Sequence, residues 1–194
     1  MTGDAAILET ERLRLREMGS ADLPALGAIL QDDTTMTAYE GAFSDAETVA
    51  WLERMRERYR NDGFGLWGVE LRSTGEMIGQ CGLTWQRIDD AEVIEVGYLF
   101  NRAHWGRGYA TEAAVGCVGY GFERLGAERI IAQVRDTNLA SMNVATRLGM
   151  TVRGRFVKHY RGVDMPHLAF AIDQRDWAAR AAASCIAGVA EWAI

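Results

Sequence analysis

The stretch EVGYLFNRAHWGRGYATEA, residues 95–113, decides how this sequence is interpreted. It starts as an apolar strand, passes through a loop with two glycines, and continues into an alanine-rich helix. Gly106 and Gly108 remove side chains at the turn, and the amides of the first helical turn have no intrahelical acceptor. With the helix dipole and the cation of Arg107, these amides predict a phosphate- or pyrophosphate-binding site.

A glycine pair before a helix also fits a tight turn with close packing, so this loop alone leaves both interpretations open. Two common nucleotide motifs are absent. The loop lacks the Gly-Lys-Ser/Thr of a P-loop, and it lacks the third glycine and the distal acidic residue of a dinucleotide fold.

A second informative segment is NLASMNVATRLGM, residues 138–150. Asn138 and Ser141 stand three residues apart at the start of a predicted helix, which places them on one face. Taken alone, the pattern favours plain capping by Asn138, with Ser141 a solvated residue of the first turn. Next to a candidate phosphate loop, it also predicts a pair of polar groups that face a ligand.

The remaining patterns predict a mixed α/β domain over residues 1–177, followed by an alanine-rich helical tail over 178–194. The predicted order is β-α-α-β-β-β-α-β-α-β-β. A helix follows Ser20, and a second begins at the Ser44–Glu47 capping box. The predicted strands cover residues 9–16, 64–72, 77–85, 92–100, 129–135, 151–158 and 166–173.

Composition restricts the class of protein. The 194 residues carry a net charge of −6, which disfavours a nucleic-acid binder because phosphate contacts need clustered cations. Such an acidic surface weakly favours a cationic partner. Three cysteines and an N-terminus without an apolar signal core predict a cytoplasmic, reduced protein. Charges interrupt the tail, so no membrane partner is expected, and its helix would pack on the domain or on a second copy in a homodimer.

Together, these segments resemble the GNAT N-acetyltransferase superfamily, in particular its RimJ/RimL-type branch of ribosomal-protein N-terminal acetyltransferase relatives. The resemblance runs from about residue 8 to 177 and rests on five segments: TERLRLR, EVGYLF, WGRGYATEA, the N-x-x-S helix and LGM. The superfamily signature Gln/Arg-x-x-Gly-x-Gly/Ala falls on residues 105–110, where Trp105 replaces the first Gln/Arg. The branch commonly carries this replacement.

This resemblance implies a single-domain α/β fold, the acyl-CoA N-acyltransferase fold, in which a mixed, mostly antiparallel sheet holds a splayed parallel strand pair and is flanked by helices. It implies acetyl-CoA as the acyl donor, bound in the gap between the strands at 95–100 and 129–135 without a metal. Pantetheine would pair with the backbone at Tyr98, Leu99 and Phe100, and Asn138 and Ser141 would face the thiol arm. The pyrophosphate would lie on the amides of residues 107–111. The loop residues implied to bind the cofactor are Trp105, Gly106, Arg107, Gly108, Tyr109, Ala110 and Thr111.

Acyl transfer needs a neutral amine, a donor to the oxyanion and a proton for the leaving thiolate. Glu95 is the predicted base, with an ordinary strand carboxylate as the alternative, and Glu92 lies farther from the gap. A backbone N–H near Leu99 or Phe100 is the predicted oxyanion donor. The tyrosine that many relatives use against the thiolate is replaced by Ala145, so Ser141 is the predicted donor to the sulfur.

Other reactive side chains receive structural interpretations. The cysteines at 81, 117 and 185 have no histidine beside them in sequence and are expected in the core. The histidines at 104, 159 and 167 lack metal-ligand spacing, so no metal is predicted. Tyr39, Trp67 and Trp85 could line an acceptor pocket, although core packing is favoured for all three.

The sequence therefore predicts an acetyl-CoA-dependent N-acetyltransferase that acts on a primary amine, with a protein or peptide N-terminal α-amine as the first choice. Two alternatives remain: an acyltransferase of the same fold for small-molecule amines, and a non-catalytic acyl-CoA-binding sensor.

Overall fold

A computed structural model describes residues 5–39, 41–88, 91–160 and 162–186. Its regular elements are eight strands and five α-helices within those residues. The strands are β1 Ala6–Glu9, β2 Leu13–Arg16, β3 Leu66–Leu71, β4 Met77–Ile88, β5 Ala91–Phe100, β6 Arg129–Arg135, β7 Thr151–Tyr160 and β8 Val163–Asp173. The helices are α1 Leu23–Leu30, α2 Asp45–Asn61, α3 Tyr109–Glu123, α4 Leu139–Arg147 and α5 Gln174–Ile186.

The strands form one sheet in the order β1-β2-β3-β4-β5-β6-β8-β7. The neighbours β5 and β6 are parallel, and the other neighbouring pairs are antiparallel. Helix α3 packs against β4 and β5, while α1 packs against α2 and β4. A crossover helix is what a parallel strand pair requires, and α3 supplies it between β5 and β6. The predicted mixed sheet with one parallel pair is confirmed.

Local signals fix several helix ends as predicted. At the start of α2, the hydroxyl of Ser44 accepts a hydrogen bond from the N–H of Glu47, and the Glu47 carboxylate accepts one from the N–H of Ser44. Such reciprocal capping satisfies two amides that a helix end otherwise leaves unpaired. Asn138 caps α4, because its Oδ1 accepts a hydrogen bond from the N–H of Ser141 at 3.1 Å.

The single strand predicted at residues 9–16 is wrong. The structure has two antiparallel strands, β1 and β2, joined by a turn at 10–12. Within this turn the N–H of Thr10 donates to the carbonyl of Leu13, and the N–H of Arg12 donates to the Glu112 carboxylate of α3. The alternating pattern holds within β2, where Leu13 and Leu15 are buried. The turn before β2 contacts Glu112, a hundred residues away in the sequence.

The last helix begins earlier than the predicted tail, because α5 starts at Gln174 rather than beyond residue 177. Residues 187–194 of the predicted tail lie outside the described residues, so the division at residue 177 stays a prediction, as does the homodimer. No helix among the described residues combines the length and the apolar character needed to cross a membrane.

Candidate active site

The parallel strands β5 and β6 separate soon after they meet. Their register pairs are Ile94 with Ile130 and Glu95 with Ile131, and both strands then continue for several residues away from each other. A cavity of about 470 Å³ lies beside this divergence. Strands that separate leave backbone groups without a ladder partner, and these groups need another acceptor or donor.

Glu95 lies where β5 and β6 diverge. Its carboxylate accepts a hydrogen bond from β6 that a strand carbonyl would otherwise accept. Its Oε1 accepts a hydrogen bond from the backbone N–H of Gln133 on β6 at 3.0 Å. Burial raises the pKa of Glu95, and this effect outweighs the opposing effects of Lys158, the Gln133 N–H and Arg58. A carboxylate with a raised pKa that also lines the cavity is what a general base requires.

The second predicted carboxylate is placed differently. Glu92 is exposed at the start of β5 and does not line the cavity. It therefore remains the weaker candidate, as expected.

The far half of β5 borders the same cavity. Tyr98 and Leu99 line it, while Phe100 is buried at the end of the strand. The indole N–H of Trp105 donates to the carbonyl of Phe100 at 2.8 Å, so this carbonyl already has a donor. The tryptophan that replaces the first signature residue therefore ties the glycine loop to the end of β5. The sequence analysis assigned it no such structural role.

The glycine loop turns directly into α3. Gly106 and Gly108 both have positive φ, +74° and +79°, a conformation that side-chain-bearing residues rarely adopt. The first α-helical hydrogen bond of α3 runs from the N–H of Glu112 to the carbonyl of Gly108. The amides of Tyr109, Ala110 and Thr111 precede this bond, so they are available to an anion at the helix start.

An arginine from the β1–β2 turn, which the sequence analysis did not single out, holds this loop. The Nη1 of Arg12 donates to the carbonyl of Arg107 at 3.1 Å, and its Nε pairs with the Glu112 carboxylate at 2.6 Å. The Arg12 guanidinium also lies 4.7 Å from the ring centroid of Tyr109. Because Arg12 pairs with Glu112, the carboxylate in the first turn does not stand as an unopposed negative charge beside the anion site.

Replacing Gly108 by valine is expected to weaken acetyl-CoA binding while the domain stays folded. A Cβ at this position would lie 3.4 Å from Nη2 of Arg12 on a backbone with φ of +79°. The branched side chain strains this backbone by about 1–2 kcal/mol and blocks approach to the first-turn amides. Calorimetric titration with acetyl-CoA measures the loss.

Gly126→Val is the matched control. Gly126 follows the other end of α3, with φ of +67° and open space where a Cβ would stand. It carries comparable backbone strain away from the loop, so both variants should lose thermal stability but only Gly108→Val should lose affinity. An unchanged affinity in folded Gly108→Val would show that the loop does not hold the phosphates.

Ser141 and Tyr98 meet across the gap between β5 and α4. Ser141 lines the cavity, and its hydroxyl makes no hydrogen bond to any residue that the structure describes. The hydroxyl of Tyr98 donates to the backbone carbonyl of Ser141 at 2.8 Å, and burial raises the pKa of Tyr98, so this hydroxyl keeps its proton. Ala145, by contrast, is fully buried. Tyr98 thus holds α4 to β5 through its phenol, a contact that the sequence does not predict because the two residues are far apart along the chain.

Histidine at the cavity wall is a second unanticipated feature. His167 is buried and lines the cavity, and its Nδ1 lies 2.8 Å from the carbonyl of Met165. A carbonyl only accepts, so Nδ1 carries the proton and Nε2 of the neutral ring keeps its lone pair. Burial lowers the pKa of His167, which keeps the ring neutral near pH 7. His167 is therefore a second proton acceptor on the wall.

The three aromatic residues considered for an acceptor pocket separate. Tyr39 lines the cavity and packs edge-on against Trp51, which also lines it. Trp67 is fully buried against Tyr120, and Trp85 is 40% exposed, outside the lining. Core packing is thus confirmed for Trp67, and Tyr39 packs against the core while it also lines the cavity. Trp51 was missed because its position on α2 gave no sign of the cavity.

The remaining reactive groups lie elsewhere. Cys81 and Cys117 are fully buried with sulfurs 3.6 Å apart, and neither lines the cavity. The side chain of Cys185 falls outside the described part. His104 contacts Glu76 at 3.2 Å beside the loop, which fits its expected structural role. No three metal-binding side chains cluster among the residues described, and the absence of a metal stays a prediction.

Comparison with known proteins agrees with this arrangement. The family model described as an acetyltransferase (GNAT) domain matches residues 12–151. This chain belongs to the GNAT acetyltransferase family. The match spans the glycine loop, the divergent strands and the Asn138 helix, so the predicted family and its fold are confirmed, and the chain is an acyl-CoA-dependent acyltransferase by descent.

Individual relatives support the same class. The uncharacterized protein YkkB of Bacillus subtilis is 40% identical over 144 residues, covering 74% of this chain and 84% of YkkB. The uncharacterized N-acetyltransferase YoaA of the same species is 32% identical and covers 76% of this chain and 84% of YoaA. A crystal structure of an acetyltransferase from Agrobacterium tumefaciens is 30% identical, with a TM-score of 0.72 and coverage of 85% and 92%.

The RimJ/RimL branch itself stays a prediction. A RimL structure, described as a ribosomal L7/L12 alpha-N-protein acetyltransferase, superposes with a TM-score of 0.73 over 87% of this chain and 94% of RimL. Its identity is 18%, which shows a shared fold and no more. The relatives named above carry no branch in their names.

Proposed function

We propose that this protein transfers the acetyl group of acetyl-CoA to a primary α-amine, with a peptide or protein N-terminus as the preferred acceptor. The proposal rests on the position of Glu95, whose carboxylate lies at the divergence of β5 and β6 and has a raised pKa. Acetyl-CoA would enter the gap between these strands. Its pyrophosphate would lie on the amides of Tyr109, Ala110 and Thr111, and its thiol arm would lie beside Ser141.

In this arrangement the acceptor nitrogen attacks the thioester carbonyl, a C–N bond forms and the C–S bond breaks. A backbone N–H near Leu99 stabilises the oxyanion. Glu95 takes the proton of the attacking amine, directly or through water. The departing thiolate receives a hydrogen bond from the hydroxyl of Ser141, and the Tyr98 hydroxyl holds the backbone carbonyl of the same serine.

The pKa of the acceptor favours an α-amine over a lysine. An α-amine with a pKa of about 7.8 is substantially neutral at pH 7, whereas a lysine at about 10.4 costs roughly 3.5 kcal/mol more to deprotonate. Neither Glu95 nor His167 is a strong base, because burial lowers the pKa of His167 and that of Glu95 starts from a low value. The site therefore suits an amine that already loses its proton near neutral pH.

A CoA-release assay over matched acceptors tests this proposal. Peptides with a free α-amine and no lysine are compared at pH 7 with Nα-blocked peptides that contain one lysine, and with small amines and polyamines. The difference in deprotonation predicts that free α-amines react about 400-fold faster at equal binding. Faster turnover of the blocked lysine peptides or of the polyamines would overturn the α-amine assignment.

A further inference from the structure

The charge of the cavity wall is opposite to that of the whole chain. The sequence carries a net charge of −6. Yet one carboxylate, that of Glu95, and four cationic side chains line the cavity among the residues that the structure describes. The cationic residues are Arg54, Arg58, Arg135 and Lys158. The weak expectation of a cationic partner, based on overall charge, therefore does not extend to this cavity.

Two of the four cations have structural contacts of their own. The Nη1 of Arg135 donates to the carbonyl of Thr37 at 2.8 Å, which holds the turn that carries Tyr39. The guanidinium of Arg54 is exposed and packs on the ring of Trp51, 5.3 Å from its centroid.

Arg58 and Lys158 differ from this pair. Both are partly buried, one on α2 and the other on β7, so they approach the cavity from separate elements. Neither forms an ion pair with any residue that the structure describes, although Lys158 lies 5.9 Å from the ring centroid of Phe156. Both cations act on Glu95, where they oppose the rise of its pKa.

This arrangement has a consequence for the acceptor. A simple ammonium would enter a cavity in which Arg58 and Lys158 repel it, and in which the carboxylate of Glu95 must also serve as the base. An acceptor that carries an anion removes this mismatch, because its anion pairs with the cations while its amine faces Glu95. The Arg58 guanidinium and the Lys158 ammonium line the same cavity, and both are suited to a carboxylate, which accepts several charge-assisted hydrogen bonds.

We propose that the acceptor is an α-amine whose own residue carries a side-chain carboxylate, and that Arg58 and Lys158 bind this carboxylate. The inference rests on the proposed function and names the class of its acceptor. The cavity has a free volume of about 470 Å³, which is enough for one or two acceptor residues in addition to the acetyl end of the donor. The same chemistry is offered by a small acidic dipeptide and by a protein N-terminus that begins with an acidic residue.

The test compares acceptors that differ only in this charge. Peptides that begin with aspartate and with asparagine share shape and a free α-amine, and each is supplied both as a dipeptide amide and as a longer peptide. The values of kcat/KM are measured for the wild type and for Arg58→Met and Lys158→Met, in which methionine retains an apolar stem. Arg60→Met is the control, because Arg60 is an exposed cation of the same helix outside the cavity lining.

We expect the wild type and Arg60→Met to prefer aspartate by about 10- to 100-fold, the range of a charge-assisted contact. Arg58→Met and Lys158→Met should each reduce this preference severalfold or more, because only the aspartate peptide loses a contact with the cation. Any loss that arises through the pKa of Glu95, on which both cations act, is shared by the two peptides. Lys158→Glu should invert the preference. Reaction of the dipeptide alone would identify a small acceptor, whereas faster reaction of the longer peptide would identify a chain terminus.

Equal reaction of aspartate and asparagine peptides in the wild type would overturn the inference and leave the proposed function intact. An equal loss on both peptides in Arg58→Met and Lys158→Met would also overturn it, since the cations would then act only on Glu95. If no α-amine reacts while another amine does, the proposed function itself fails, and this inference fails with it.

Discussion

Replacing Glu95 by glutamine is expected to lower kcat by about 10²- to 10⁴-fold, the range that general-base catalysis contributes. The amide is close to the carboxylate in shape and still accepts the hydrogen bond from the Gln133 N–H through its oxygen. It cannot take a proton from the amine. Acetyl-CoA affinity should change little, because the first-turn amides of α3 and Ser141, which are proposed to hold the donor, are unchanged. Steady-state kinetics and calorimetric titration measure the two effects separately.

Glu92→Gln is the matched control, since Glu92 lies on the same strand but is exposed and outside the cavity. Its turnover should equal that of the wild type. A fully active Glu95→Gln would exclude Glu95 as the base and would favour His167 in that role. Loss of activity with unchanged folding would exclude the sensor.

The pH dependence of the same variant follows from the raised pKa of Glu95. In the wild type, kcat/KM rises with pH as both Glu95 and the acceptor amine lose their protons. The Glu95→Gln variant retains only the ionisation of the amine and of any remaining base, so its acid limb should be less steep. A pH profile of identical shape in both proteins would contradict the assignment.

The raised pKa of Glu95 also determines how this group changes the stability of the fold with pH. The pKa of Glu95 is higher in the folded chain than in the unfolded chain, so the folded state binds the proton more tightly. Stability contributed by this group is therefore full at low pH and is lost as pH rises from the ordinary value through the folded pKa. At pH 7 the glutamine variant should melt at or above the temperature of the wild type, so reduced activity cannot come from unfolding.

Replacing Ser141 by alanine should lower turnover by about 10- to 150-fold with little loss of acetyl-CoA affinity. A hydrogen bond to the sulfur strengthens as the thiolate forms, so its contribution of roughly 1.5–3 kcal/mol belongs mainly to the transition state. The bond from Tyr98 to the Ser141 carbonyl survives because it uses the backbone. The kcat and the acetyl-CoA dissociation constant are the two measurements.

Neighbouring substitutions separate this role from capping. Asn138→Ala removes the cap of α4, so it should cost about 1 kcal/mol of stability and weaken ground-state binding instead. Thr146→Ala is the control, because the Thr146 hydroxyl is exposed and bonds only within α4, to the carbonyl of Met142. If Ser141→Ala turns over normally, Ser141 is only a residue of the first turn, and Tyr98→Phe becomes the variant to measure.

Local signals predicted most of this fold. The capping box at Ser44, the Asn138 cap and the glycine loop act over three or four residues, so their effects are written in adjacent positions. The division of the first strand was missed because it depends on Glu112, which lies on α3. An amphipathic pattern indicates which side of a strand is buried, but it does not show where distant side chains interrupt the strand.

The candidate site shows the same limit. Glu95 and Ser141 were predicted because a family resemblance assigns roles to their positions, and the structure brings both to one cavity. The sequence did not predict Arg58, Lys158 and His167 as site residues, because they reach the cavity wall from α2, β7 and β8. No spacing in the sequence links these elements, and the overall charge suggested the opposite polarity for the acceptor.

The most direct measurement is the position of the acetyl group on one peptide that offers both kinds of amine. A peptide that begins with aspartate and contains one lysine is incubated with acetyl-CoA and the protein at pH 7, and tandem mass spectrometry locates the modification. Acetyl on the α-amine alone, formed by the wild type and by Glu92→Gln but at least about 100-fold more slowly by Glu95→Gln, is the predicted result. Acetyl on the lysine, or equal rates with and without Glu95, would contradict the account.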